Sequence, residues 1–169
     1  HFKSKEDILV AVTERMTQES NRMLARIRDR TGLSGRDKLK MIFKESISRP
    51  VQNDIFTVAP DFHNNPKLLF SLLHDTIEEA APNYIEPIIE QGIADGSIKT
   101  DYPKQLAELI LLAANVWMNP MIFGSTEEES CKKFLIFDQM LKGFGLDIVD
   151  GEMLERLQEL TSIYQRQRM

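Results

Sequence analysis

Hydrophobic residues recur at steps of three and four along most of this chain, which is the spacing of one face of an α-helix. The first series consists of Ile8, Val12, Met16, Met23 and Ile27. Ser4 precedes it, and Asp7 stands three residues after Ser4, in an acidic variant of the capping box that begins many helices. Gly32 can end a helix in a left-handed conformation. The pattern therefore predicts a long amphipathic helix over about 4–30.

The same spacing predicts further helices and no strands. Asn65 can cap a helix that begins at Pro66, since proline fits a first turn, where no intrahelical N–H is required. Pro82 and Pro87 lack the donor that a helix interior needs, so we expect a new helix to begin at Pro82. The other predicted helices cover about 35–49, 51–58, 82–94, 103–118, 127–144 and 152–168. Because 169 residues suffice for one ordinary domain, we expect a single all-α body.

Two of these helices, over about 103–118 and 127–144, are apolar on nearly all faces. A helix that is apolar on most faces must be covered on two sides, and in a small domain a partner subunit can provide the second cover. We therefore expect a homodimer joined through a four-helix interface. The predicted interface residues are Leu106, Leu109, Ile110, Ala113, Phe134, Phe137, Met140 and Leu141.

Composition and charge narrow the class of protein. The chain is 28% charged and 42% hydrophobic, which is typical of folded domains. Its net charge of -5 argues against a body that binds nucleic acid over its whole surface. Residues 1–30 hold seven basic and five acidic residues, so this segment is +2 and the remainder is -7. Any contact with DNA is expected at the N-terminal end.

Cysteine usage and hydropathy bear on the compartment. Cys131 is the single cysteine, so no internal disulfide can form, which favours a reducing compartment. The longest strongly apolar stretch, 109–116, is far shorter than the roughly 20 residues that span a bilayer. We expect a cytoplasmic protein with no membrane partner.

Candidate catalytic and metal-binding groups are few. Asp61, His63, His74 and Asp75 could act as ligands or as an acid/base pair. However, Asp61 and His63 fall in a predicted loop, and the adjacent His74 and Asp75 point in different directions from one helix. The sequence has no metalloprotease-type motif. We therefore expect neither catalysis nor a metal or other cofactor.

Three segments resemble parts of the tetracycline-repressor-like (TetR-type) family of transcriptional regulators. The opening HFKSKEDIL, residues 1–9, resembles the junction between the recognition helix of the DNA-binding head and the long fourth helix. Residues 88–98 and 137–146 resemble, in order and separation, the helix end before the dimer pair and the end of the last dimer helix. The resemblance implies that 1–4 are a remnant of the helix-turn-helix head and that 5–169 form an effector-binding and dimerisation domain.

The resemblance also implies partners and site residues. Lys5 matches a family position that contacts a DNA phosphate at a helix N-terminus, and Lys3 and His1 match the end of the recognition helix. A solvated lysine is the alternative for Lys5. The family's function implies operator DNA as a partner through the head, and repression that is relieved by a small apolar or aromatic effector.

In the family that the chain resembles, the helices between the head and the dimer pair enclose a mostly apolar effector pocket, so the resemblance implies such a pocket here. The candidate lining residues are Phe56, Phe62, Phe70, Leu73, His74, Ile89, Asn115, Trp117 and Met121, together with Met23 and Phe43. His74 and Asn115 are the candidate polar anchors. Plain core packing is the alternative for most of these residues, and a helical interaction module without a ligand is the alternative function. Met153, Leu157, Leu160 and Tyr164 keep that alternative open, since their spacing suits packing on a neighbouring helix as well as on the body of the same chain.

Overall fold

The computed structural model of the protein describes residues 4–48, 62 and 64–168, and its regular elements in these ranges are all helical. The all-α class predicted from hydrophobic spacing is therefore confirmed. The helix predicted over 51–58 lies outside the described residues, as do His1, Lys3 and Phe56.

The first helix, α1 (Lys5–Arg28), begins with the capping box that the sequence predicts. The Asp7 N–H donates to the Ser4 hydroxyl oxygen at 3.1 Å, and the Ser4 N–H donates to the Asp7 carboxylate at 3.1 Å. Leu24 and Ile27 in its C-terminal part are buried. The next helix, α2 (Gly35–Ser46), has Ser34 as its N-cap and ends three residues before its predicted limit.

Helical structure then continues from Pro66 to Asp95 without a break. It consists of α3 (Pro66–His74), π-helical turns at Asp75–Ile85, and α4 (Glu86–Asp95). The predicted break at Pro82 is wrong because Pro82 lies inside the π-helical turns. There the Glu86 N–H donates to the Ala81 carbonyl, five residues back instead of four. These wider turns accommodate a ring that would clash with the preceding turn of an α-helix.

The C-terminal half follows the predicted helices closely. It consists of α5 (Pro103–Leu112), a second π-helical turn at Ala113–Trp117, the short α6 (Pro120–Phe123), α7 (Glu127–Gly143) and α8 (Gly151–Arg168). In the second π turn the Met118 N–H donates to the Ala113 carbonyl at 2.9 Å. The helix predicted over 103–118 is thus present, but its last turns are wider than α-helical turns.

The main core lies among α1, α2, the long α3–α4 run, α5 and α7. Its fully buried side chains include Ile27, Leu39, Ile88, Ile110, Phe137 and Leu141. α2 and α4 approach closely at their glycines, since a Cβ atom added at Gly35 would lie 2.6 Å from the Ile88 carbonyl oxygen. None of the described helices combines the length and hydrophobicity required to span a bilayer.

The burial of α5 and α7 corrects the predicted dimer interface. Six of its eight residues are buried within the chain's own core, each at most 9% exposed. They are Leu106, Ile110, Ala113, Phe134, Phe137 and Leu141. Leu109 is 44% exposed and Met140 is partly buried. The six are covered by their own chain, so little surface remains on them for a partner to contact.

Candidate ligand cavity

A cavity of about 380 Å³ lies between the main core and α8. α1, α2, the first π-helical turns, α5, α7 and α8 all contribute to its wall. The apolar part of the described lining includes Leu24, Leu39, Ile42, Phe43, Ile85, Ile110, Leu111, Met118, Phe134, Met153, Leu157 and Leu160. A volume above about 300 Å³ is in the range of small-molecule sites, and a mostly apolar wall is usual for them.

Four of the residues predicted for the pocket line this cavity. They are Phe43, Phe62, Asn115 and Met121. Phe62 is 7% exposed and packs with Leu68 and Ile122. Asn115 reaches the wall from the second π-helical turn.

The other predicted pocket residues lie elsewhere. Phe70 is 69% exposed, and Ile89 is fully buried in the main core. The His74 side chain is 54% exposed and does not line the cavity. The adjacent Asp75 does line it, and its carboxylate lies 3.8 Å from the His74 Nδ1. In the same way Leu72, not Leu73, is part of the wall, and Met23 packs on the core instead. Phe56 lies outside the described residues.

Trp117 faces away from the cavity because residues two apart on a helix lie on nearly opposite sides, so it cannot share a face with Asn115. Its indole is 40% exposed. The Lys133 ammonium lies 5.8 Å from the indole centroid and donates to the Trp117 carbonyl at 3.0 Å and to the Ser125 hydroxyl at 2.8 Å. These bonds fix the beginning of α7 against the end of the second π-helical turn.

Sequence reasoning missed the share of α8 and α7 in the wall. Met153, Leu157 and Leu160 line the cavity, whereas their spacing alone suits packing on a neighbouring helix as well as on the body of the same chain. Phe134 and Ile110 were assigned to a dimer interface and line the cavity instead. The sequence places these residues in regular apolar stripes, but a stripe does not show which neighbouring helix covers it.

The polar groups of the wall differ in their hydrogen bonding. The Asn119 carbonyl oxygen Oδ1 accepts from the Met121 N–H at 3.0 Å, and its Nδ2 donates to the Asn115 carbonyl at 3.1 Å, so Asn119 is committed to capping α6. Within the described part of the chain, the Asn115 side-chain amide has no hydrogen-bond partner. The Ser130 hydroxyl oxygen is buried and likewise has none. These two groups can bind a ligand.

Hydrogen bonds and a carboxylate charge hold the first turn of α7, next to Ser130. Thr126 is the N-cap, and the Glu129 carboxylate accepts from the Thr126 N–H at 2.9 Å. This bond, with the Thr126 hydroxyl, holds the pKa of Glu129 below its usual value of 4.5. A negative charge at a helix N-terminus is also favoured by the helix dipole. The turn that presents Glu127 and Ser130 to the cavity is therefore well fixed.

No group of three or more His, Cys, Asp or Glu side chains in the described ranges is arranged to hold a metal ion. The phosphate contacts expected at Lys5, Lys3 and His1 involve side chains outside the described part, although the backbone of Lys5 begins α1. No protein-family profile matches the sequence, and no curated protein or solved structure matches it significantly.

Proposed function

We propose that this chain is the effector-binding and dimerising domain of a TetR-type transcriptional regulator, and that the cavity binds a small, mainly apolar effector. The cavity carries this proposal. It combines an apolar wall with the Ser130 hydroxyl oxygen, which is buried and has no hydrogen-bond partner in the described part of the chain, and with the partly buried side-chain amide of Asn115. Buried polar groups in native proteins are nearly always satisfied, so unsatisfied ones in a cavity favour a ligand.

α1 supplies the route from effector to DNA in this proposal. Its residues Thr13, Met16 and Thr17 line the cavity, and its N-terminal end carries the segment that resembles the junction with a DNA-binding head. An effector that binds one position of α1 more tightly than another shifts the population toward that position. A coupling of about 1–3 kcal/mol is typical and would weaken operator binding by up to about a hundredfold.

The dimer belongs to the same proposal, with an interface moved to the exposed apolar side chains of α5 and α7. Leu109, Leu135 and Ile136 are 44%, 46% and 56% exposed. These exposed side chains also support a second candidate function, a helical association module that needs no ligand. The two candidates differ in what they require of the cavity.

The deciding experiment is a calorimetric titration with 1-octanol as a neutral apolar probe. We expect saturable binding, and we expect it to be lost in Ala114→Phe, which fills the cavity from the second π-helical turn. Ala94→Phe is the matched control, because Ala94 is exposed on α4. Native mass spectrometry of the same samples reports the number of subunits. A dimer that does not bind the probe would favour the association module.

A further inference from the structure

We propose that the cavity selects an amphiphile with a protonated amine over a carboxylate of the same size. This inference rests on the proposed function and specifies the chemical class of the effector. The charge of the cavity wall and the hydrogen-bonding groups left without partners both support it.

The ionisable side chains of the described lining are all acidic. Asp75 and Glu127 are the carboxylates, and no Lys, Arg or His is among the described lining residues. The Nδ1 of His74 lies 3.8 Å from the Asp75 carboxylate, and this imidazole is charged only when protonated. Glu127 has no ion-pair partner within the described ranges. The Asp75 side chain is 38% exposed and Glu127 is exposed, so water screens part of their field, and the remainder acts across the cavity without contact with the ligand.

Two basic side chains lie near the wall, but they do not reverse the sign of its net charge. Lys133 donates to Trp117 and Ser125 and lies over the rings of Trp117 and Phe123, outside the lining. Arg156 donates from Nε to the Ile47 carbonyl at 2.9 Å, and its Nη1 lies 2.8 Å from the Glu159 carboxylate. The Glu159 carboxylate offsets its charge, its Nη2 is buried without a hydrogen-bond partner in the described part of the chain, and Arg156 too is outside the lining.

Ser130 and Asn115 supply acceptors for the amine. An ammonium group has three donors and no acceptor, so it needs oxygen atoms around it. The Ser130 hydroxyl oxygen is buried without a hydrogen-bond partner within the described part of the chain, and the Asn115 side-chain carbonyl belongs to the same wall. A carboxylate could accept from the same side chains, but it would lie in the negative field of Asp75 and Glu127. Hydrogen bonding therefore positions the polar group, and the carboxylates determine its charge.

The test compares octylamine, 1-octanol and octanoate by calorimetric titration at neutral pH. The three probes share one alkyl chain and differ in the charge of the polar group. We expect octylamine to bind at least tenfold more tightly than octanoate, with 1-octanol between them. The double variant Asp75→Asn/Glu127→Gln should lose most of the difference between octylamine and 1-octanol and keep its affinity for 1-octanol. Glu128→Gln is the control, since Glu128 pairs with Lys132 on the surface of α7.

A salt titration of the unmodified protein gives a second measurement that does not depend on variants. Near 1 M salt the Debye length is about 3 Å, so octylamine affinity should fall toward that of 1-octanol. Octanoate binding as tight as octylamine binding would overturn the inference. If 1-octanol binds and the amine has no advantage, the inference fails and the proposed function stands. If none of the three binds, both fail.

Discussion

A Cβ atom added at Gly35 would lie 2.5 Å from the Cα of Gly92, closer than real Cβ atoms approach a backbone. The first turn of α2 therefore contacts the backbone of α4 directly. Gly92 is itself covered by Ile98, whose side chain occupies the space that a Cβ at position 92 would need. The backbone contact fixes the distance between the two helices and places Ile88 and Ile89 in the core.

Gly35→Ala should lower the free energy of unfolding by about 1–3 kcal/mol, because the added methyl group meets backbone atoms that cannot rotate away. Urea denaturation monitored by circular dichroism measures the change. Gly143→Ala is the matched control, since nothing lies within 4 Å of a Cβ there, and alanine should leave stability unchanged or raise it slightly. Equal stability of the two variants would show that the helices can separate at no cost.

Lys38→Met should destabilise the protein by about 1–3 kcal/mol, since it leaves two partly buried acceptors without their donor. Lys38 is buried, with only 5% of the residue exposed. Its ammonium group donates to the Arg28 carbonyl and to the Gln91 side-chain carbonyl, each at 2.6 Å. Lys40→Met is the control, because Lys40 forms only an exposed 3.4 Å pair with Asp150 and should change stability by less than about 1 kcal/mol. Thermal unfolding followed by circular dichroism compares them. A smaller effect for Lys38 than for Lys40 would contradict this role.

Asp95 should make stability depend on pH below about pH 4. Its carboxylate accepts from the Gly35 N–H at 2.8 Å and the Ser97 N–H at 2.9 Å. The Ser97 hydroxyl, followed by these N–H groups, holds the pKa of Asp95 below its usual value of 3.8. A carboxyl group with a lowered pKa in the folded state stabilises the fold above its unfolded pKa, and this stabilisation is lost as pH falls through the folded pKa.

The measurement for Asp95 is urea denaturation of the wild type and Asp95→Asn from pH 6 to pH 2. The wild type should be more stable at pH 6, and its advantage should shrink toward zero at the acidic end. Asp101→Asn serves as the comparison, because Asp101 is exposed and accepts no described backbone hydrogen bond. A constant difference between wild type and Asp95→Asn across this range would rule out the proposed linkage.

Ile136→Glu and Phe137→Glu should have opposite consequences although the residues are adjacent. Ile136 is 56% exposed and Phe137 is 1% exposed. A glutamate at 136 should convert a dimer into folded monomers, since an unpaired charge in an apolar interface is costly. A glutamate at 137 should unfold the chain because it buries the charge in the core. Size-exclusion chromatography and circular dichroism distinguish these outcomes, and a dimeric Ile136→Glu would place the interface elsewhere.

Local chemistry made several elements predictable from the sequence. The capping box of Ser4 and Asp7 depends on groups three residues apart, so no tertiary information was needed to find it. The same is true of the proline that begins α3 and of the spacing of apolar residues in α7 and α8. Each of these signals is contained within one or two helical turns.

The cavity was only partly predictable, because its wall depends on which helix covers which stripe. Phe134 and Met153 belong to apolar stripes whose spacing also suits contact with a partner. The two side chains line one cavity because of the place where α8 packs, which the stripes do not show. By residue type, Trp117 and Asn115 are equally good candidates for the pocket wall. They are two positions apart on one helix, however, so their side chains lie on nearly opposite sides of it. Residue type indicated a pocket, while its location required the packing of helices distant in sequence.

The π-helical turns also have a consequence for how such a chain can diverge. Each hydrogen bond that reaches five residues back, such as that from Met118 to Ala113, spans one residue more than an α-helical turn. Loss of a single codon there would let the Met118 N–H bond the Ala113 carbonyl four residues back, so the helix would continue with the residues beyond the deletion on nearly the same faces. A one-residue deletion near Asn115 could therefore remove or replace a side chain within this turn and leave the helices on both sides in place. Changes in ligand preference could then arise by insertion and deletion as well as by substitution.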